Sequence, residues 1–328
     1  MSTPANFQSA LAAGFCDFLA LKRALGRRYR TEEAALRLLD RFLVQQKVTG
    51  PDELTAELLD AFLTSRPRSA PRSFNHLLGV VRQCLRWLAT QGRLPASLLQ
   101  TRPRHVTSQR VPFLFTPEQA RALLAAAAAL PDRPRGPGRG PTYRTIFALL
   151  YGLGLRVGEA CRLQVGDVDL PQALLVIRGT KFGKSRLVPV GPRVAALLGS
   201  HLARRAGGGP PLDPAAPLFT FDGRHGVTAG TVSQTFLRLT RALRLAGAAG
   251  TAPPRCHDLR HSFAVATLLR WYRTGVDPAG RLHHLATFLG HVDPASTAVY
   301  LTITPDLFAE AADRFATFAG PALMEVPR

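Results

Sequence analysis

Lysine is nearly missing from this basic chain: among 42 Lys plus Arg, the only lysines are Lys22, Lys47, Lys181 and Lys184. Acid is scarce too. With 22 Asp plus Glu the formal net charge is +20, a field that attracts polyanions and speeds their arrival. Nucleic acid is the partner that best matches positive charge spread along the whole chain. The four cysteines (Cys16, Cys84, Cys161, Cys256) lie far apart without a C-x-x-C pair and read as reduced, mostly buried thiols of a cytosolic protein. No basic-then-apolar leader opens the sequence, and apolar runs such as 122–130 fall short of a membrane span, so a soluble intracellular protein is expected. Methionine and tryptophan occur twice each, so the core must rest on the aliphatic residues and the 18 phenylalanines.

The apolar residues that are there recur mostly at helical spacing. Residues 7–25, 34–44, 54–63 and 77–88 predict a helical module over 1–100, with 17 basic residues against eight acidic ones over 1–112. Arg66, Arg68 and Arg72 stand near a helix start, where backbone N–H groups also favour phosphate, so this module is expected to clamp a nucleic-acid backbone. Residues 101–112 lack periodicity and carry prolines and arginines. They are expected to form an extended interdomain linker, with Arg104 against the backbone as well. Thr116-Pro-Glu-Gln then has the form of a helix start: a Thr cap, Pro in the first turn, and acid at the positive end.

A second domain over 113–328 is expected to be mainly helical with a small antiparallel sheet. Strands at 174–178 and 186–190 enclose Gly-Thr-Lys-Phe-Gly-Lys-Ser, a hairpin signal. Helices are expected at 142–151, 192–205, 229–246, 257–272, 283–289 and, as a C-terminal tail, 305–318. The fold class is therefore mainly α with a small β element.

Six residues of this domain could share one phosphate: Arg156, Lys181, His257, Arg260, His291 and Tyr300. Two guanidiniums can grip non-bridging oxygens, and a phenol can attack phosphorus. His257 and Arg260 are three apart and so lie one turn apart on a helix face. Arg156 stands out because it follows Gly152-Leu-Gly154-Leu and precedes Gly158-Glu159, whose carboxylate can orient nearby polar groups. Lys181, at the hairpin tip, can give up a proton as arginine cannot; Lys184 is its rival there and a candidate backbone contact. Neighbouring cations are expected to lower the pKa of Tyr300.

Two other readings fail on chemistry. His257-Asp-Leu-Arg-His261 imitates a zinc helix, but Arg260 would repel the ion and no well-spaced third ligand is evident. Gly179-Thr-Lys-Phe-Gly183-Lys-Ser is one residue short of a nucleotide-binding loop and leads into a strand instead of a helix. No metal or cofactor is expected.

Taken together, Gly-Leu-Arg-x-Gly-Glu, a hairpin Lys before Arg-Leu-Val-Pro, His-x-Leu-Arg-His, Leu-Gly-His and Tyr resemble the tyrosine recombinases, also called the phage integrase family. The resemblance spans nearly the whole chain. It implies a helical core-binding domain and a catalytic domain in which Tyr300 attacks a phosphodiester of double-stranded DNA to form a 3′-phosphotyrosine. Arg156 and Arg260 would hold the phosphate, Lys181 would protonate the leaving 5′-oxygen, His257 would assist proton transfer, and His291 would hydrogen-bond the phosphate. A mobile-element integrase acting as a homotetramer on two duplexes, with accessory proteins in some reactions, is the implied context. A type IB topoisomerase-like relaxase and an accessory DNA-binding protein that has lost cleavage are the alternatives. His291 follows Arg260 by 31 positions, longer than is usual in that family.

Overall fold

The computed structural model describes residues 7–65, 67–96, 98–106, 111–134, 136–179, 185–246, 252–291, 293, 295–298, 300, 309, 310 and 312. The chain divides into two compact units, Met1–Gln109 and Arg110–Arg328, each with its own core.

The first unit is built from α1 (Ala12–Ala24), α2 (Arg30–Gln45), α3 (Ala56–Thr64) and α4 (Pro71–Thr90). Thr55 caps α3, accepting a hydrogen bond from the amide of Leu58, and Pro71 starts α4 where its missing N–H costs nothing. The apolar stripes of these helices meet in one core that includes Phe15, Phe18, Leu36, Leu39, Phe62, Leu77 and Val81. Burying side chains of this size contributes about 1.5–3 kcal/mol each, which is what lets four helices hold together.

Residues 101–106 run along the same unit. The side chain of Asn75 donates to the carbonyl of Arg104 and accepts from its amide, both at 2.8 Å. The Arg104 guanidinium lies 3.9 Å over the ring of Phe74 and donates to the carbonyl of Arg68 at 2.7 Å. Arg82 and Asp60 hold Thr101.

The second unit begins with α5 (Pro117–Ala128), started by a capping box in which Thr116 and Gln119 satisfy each other's backbone amides. There follow α6 (Arg139–Gly152), α7 (Val157–Ala160), strands β1 (Val168–Asp169), β2 (Leu174–Ile177) and β3 (Arg186–Pro189), then α8 (Pro192–Ala206), α9 (Ala229–Ala242), α10 (Cys256–Arg273), α11 (Pro278–Leu289) and α12 (Ala295–Ala298). The sheet is antiparallel in the order β1-β2-β3, with Leu174 opposite Pro189 and Ile177 opposite Arg186. One core gathers residues from α5, α6, α9 and the sheet; a second, formed by α10, α11 and Tyr300, includes Leu268, Leu285 and Leu289.

The fold class is the expected one, and the main differences from the sequence reading concern β1, α11 and α9. The two-residue strand β1 had no signal of its own. The helix expected from 283 starts at Pro278, because Asp277 caps it by accepting from the amides of Ala279 and Gly280. Helix α9 ends at Ala242 instead of 246. Of the 305–318 tail only residues 309, 310 and 312 are described; Glu310 pairs with Arg273 at 2.7 Å, on the chain's own α10.

Candidate active site

The site is assembled around one helix end. Helix α11 stops at Gly290, whose φ of 68° lies in the left-handed region, and the amide of His291 bonds back to the carbonyl of Ala286 at 2.9 Å. The last carbonyls of a helix have no intrahelical donors and carry its negative end. Here three arginines from three elements fill that need. Arg186 of β3 donates to Phe288, Arg260 of α10 to Leu289, and Arg156, just before α7, to Gly290, at 2.9, 2.8 and 3.1 Å.

Gly154 makes this geometry possible. Its carbonyl accepts from Arg260 at 2.7 Å, its φ is +60°, and a Cβ there would stand 2.6 Å from Phe263 and 2.8 Å from Leu289. The glycine break before Arg156 is therefore required by close approach as well as by backbone conformation.

Glu159 lies under the arginines. Its carboxylate accepts from the Arg156 guanidinium at 2.8 Å and the Arg156 amide at 3.0 Å, and from Arg186 through two bonds of 3.0 and 2.9 Å. Burial opposes ionisation, but the Arg186 and Arg156 bonds win, and the pKa falls to about 2. Two guanidiniums thus share this carboxylate, and with Arg260 nearby on backbone carbonyls, positive charge is left for an anion. Arg260 is completely buried; burial first, then Arg156, pulls its pKa to about 10, so it stays charged at any working pH. Its buried Nε has no hydrogen-bond partner among the described residues.

The imidazoles form a chain toward the phenol. The rings of His257 and His261 meet edge to face at 4.6 Å, His261 meets Tyr300 at 5.4 Å, and His291 stacks on Tyr300 at 6.2 Å. His291 is held by a 2.6 Å contact between its Nδ1 and the hydroxyl of Thr297. Burial, then Arg260 and Arg156, pushes the pKa of His291 down to about 4. His261 is lowered to about 4 by burial, Arg255 and Arg260. His257 also falls to about 4, through desolvation first, then His261, Arg260 and Arg255. Since His257 is open to solvent, the crowding charges are the firmer cause of its shift. All three are neutral near pH 7.

Tyr300 is only 3% exposed. Burial raises its pKa above the ordinary 10, while Arg260 and Arg156 act in the opposite direction without prevailing. This corrects the expectation of a lowered pKa. The cations are in place, but in the free protein desolvation of the phenolate outweighs them.

The model of the phage integrase family matches residues 114–306, more than half of the chain. The chain belongs to the phage integrase family. As a family member, a tyrosine recombinase, it is 38% identical over 303 residues to y4rB of Sinorhizobium fredii (strain NBRC 101917 / NGR234), provisionally named an integrase/recombinase, covering 91% of this chain and 94% of that protein. It is 30% identical to the tyrosine recombinase XerC of Xanthomonas campestris pv. campestris (strain B100), covering 76% and 70%. In fold it matches a lambda integrase (75–356) dimer bound to a COC′ core site, with a TM-score of 0.65 at 17% identity over 89% of this chain and 95% of that one. The Tn1549 transposon integrase in complex with a circular intermediate DNA gives 0.64 at 18% identity over 94% and 100%.

Of the six residues singled out in the sequence, this integrase-family fold brings Arg156, His257, Arg260, His291 and Tyr300 together. Lys181 and Lys184 lie outside the described residues, as does Arg66. The other three arginines suggested for DNA are all in the first unit: Arg72 is exposed in the first turn of α4, Arg68 donates to the Ser73 hydroxyl at 2.8 Å, and Arg104 is engaged with Phe74 and Arg68. Sequence reasoning missed Arg186 and Thr297, and gave His261 only a rejected role as metal ligand. Arg186 had a faint signal, an arginine heading a strand next to the hairpin. Among the described residues no group of three or more His, Cys, Asp or Glu is placed to hold a metal ion.

Proposed function

We propose that this tyrosine recombinase cleaves and rejoins double-stranded DNA through the site around Tyr300. The observation that carries the reading is the placement of the Tyr300 ring against His291 and His261, beside the buried Arg260. A phenol, two guanidiniums and neutral imidazoles on one wall suit in-line attack on a phosphodiester.

In this mechanism the Tyr300 oxygen attacks phosphorus, a new O–P bond forms, and the bond from phosphorus to the 5′-oxygen breaks. Arg156 and Arg260 stabilise the charge on the non-bridging oxygens. His291, with its Nδ1 engaged by Thr297, offers Nε2 to the same phosphate. The proton lost by the phenol passes toward the neutral histidines, and Lys181 protonates the leaving 5′-oxygen. The 3′-phosphotyrosine keeps the phosphodiester's reactivity, so a 5′-hydroxyl from another strand can reverse the step without ATP.

The pKa of Tyr300 belongs to the free protein. Loading a phosphate onto Arg156 and Arg260 rearranges the charges around the phenol, so activation is coupled to binding. Arg66, Arg68 and Arg72 of the first unit supply further backbone contacts, with Lys184 in the same class, while Arg104, engaged with Phe74 and Arg68, serves mainly to hold residues 101–106. Lambda integrase has been captured as a tetramer bound to a Holliday junction, and a tetramer on two duplexes, with accessory proteins in some reactions, is the assembly proposed for this chain. No helix among the described residues is long and apolar enough to cross a membrane, and the cytoplasm, at the nucleoid, is the proposed location.

The test is a DNA duplex carrying a 5′-bridging phosphorothiolate at the cleavage site, which releases a thiolate that cannot religate. The wild-type protein is expected to accumulate a covalent DNA adduct and Tyr300→Phe none. Equal behaviour of the two proteins would sink the assignment.

A further inference from the structure

Arg186 differs from the other two arginines at the end of α11. Each of its three nitrogens is engaged within the protein: Nη1 and Nη2 with Glu159, Nε with the carbonyl of Phe288. Its side chain is 11% exposed, against 36% for Arg156. It is thus a cation at the site that is not turned toward a ligand.

Its effect must run through what it touches. Glu159 carries one negative charge and divides it between two guanidiniums, one on each side. While Arg186 takes both carboxylate oxygens, Arg156 makes a single bond to Oε1 and keeps its other terminal nitrogen at the Gly290 carbonyl, beside His291. Without Arg186, Glu159 would be free to pair one to one with Arg156. That pair is neutral and bidentate, the geometry a guanidinium and a carboxylate prefer, and it would withdraw Arg156 from a phosphate. Arg186 also closes on α11 from outside: a Cβ at Gly290 would lie 2.7 Å from its Nη1. The residue before His291 is therefore packed directly on this guanidinium.

We propose that Arg186 is a positioning residue for DNA cleavage, which by occupying Glu159 keeps the Arg156 guanidinium out of a bidentate carboxylate pair and aimed at the scissile phosphate. The proposal rests on the recombinase reading above. It makes a specific demand on the substrate: the need for Arg186 should exist only where the phosphate is negatively charged.

The experiment compares single-turnover cleavage of two suicide duplexes, one with an ordinary phosphodiester and one with an uncharged methylphosphonate at the cleavage site, both at saturating protein. Arg186→Gln is expected to slow cleavage of the phosphodiester roughly 30-fold, in the range for losing one preorganised charge contact. DNA affinity should stay within about two-fold, because every nitrogen of the residue is engaged within the protein. On the methylphosphonate the deficit should shrink to about three-fold or less. Arg186→Lys, which keeps the charge but not the fork, should lie between the wild type and Arg186→Gln on the phosphodiester. Wild-type rates for Arg186→Gln, or equal deficits on both substrates, overturn the proposal; the latter is what a merely structural role produces. If Arg186→Gln does not fold, Arg186→Lys carries the same comparison, and wild-type rates or equal deficits on the two substrates again overturn the proposal. Tyr300→Phe run alongside separates the two ideas, since an adduct formed by that variant defeats the recombinase reading itself.

Discussion

The Nδ1 of His291 lies 2.6 Å from the hydroxyl of Thr297, and Thr297 is completely buried. The contact decides which imidazole nitrogen is left to face a phosphate. It links the end of α11 to α12, the short helix that precedes Tyr300.

Thr297→Val keeps the shape and deletes the bond. A hydrogen bond of this kind contributes about 0.5–1.5 kcal/mol, so a cleavage rate lower by about two- to ten-fold with DNA affinity unchanged is expected. Single-turnover cleavage with a parallel binding isotherm checks it. A rate equal to the wild type would mean that the His291 orientation is set elsewhere.

Gly154→Ala is expected to cost about 2–4 kcal/mol, from a strained left-handed backbone plus overpacking against Phe263 and Leu289. Urea unfolding of the full chain reads this, as a lower midpoint at an unchanged slope. Because the Gly154 carbonyl holds Arg260, cleavage should fall along with stability.

Acidification should destabilise the second unit. The unfolded chain takes up protons on its histidines near 6.5, while His257, His261 and His291 resist protonation until about 4 in the folded protein. Protons therefore favour the unfolded state, and the stability these groups contribute is full above pH 6.5 and lost as pH falls from 6.5 toward 4. Glu159 extends the loss below its ordinary 4.5, toward 2. Tyr300 has the opposite sign: its raised pKa contributes stability below pH 10 that disappears as pH rises past it. Thermal unfolding across pH 7 to 4.5 should show a falling Tm, and a flat profile would contradict this electrostatic picture.

The arginines of the first unit should separate into two kinds. Arg72 is exposed at a helix start, so Arg72→Ala should reduce the slope of log affinity against log salt by about one. Arg104 is bound to Phe74 and Arg68, and Arg104→Ala should mainly loosen residues 101–106, seen as faster amide exchange there. The reverse pattern would exchange their roles.

Cleavage should be unaffected by EDTA. His257 and His261 stand edge to face with the Arg260 cation on the same helix turn, a poor donor set for a divalent ion. A strict metal requirement, restored by one added ion, would count against the mechanism.

Local chemistry was legible where a few neighbouring residues suffice. The Thr116 cap, the glycines before Arg156, the turn that pairs His257 with Arg260, and the hairpin signal of β2 and β3 all depend on residues close together in the chain. The start of α11 was misplaced because Arg281, His283 and His284 interrupt its apolar period, although Asp277-Pro278 is a cap signal in its own right. Thr297 was illegible as a site residue, since a threonine in a short helix carries no local distinction, and the signal of Arg186 at the head of a strand was faint in an arginine-rich chain.

By itself, the sequence determined the composition of the site, a phenol, guanidiniums and imidazoles with few carboxylates, because side-chain chemistry and helical spacing are local properties. Only the tertiary structure decided how those charges balance. Arg186, Arg260 and Arg156 come from separate elements to consecutive carbonyls of one helix end, and Glu159 is shared between two of them. The buried position of Tyr300 sets the sign of its pKa shift, since desolvation and Coulomb attraction oppose each other and their difference depends on the packing around the ring.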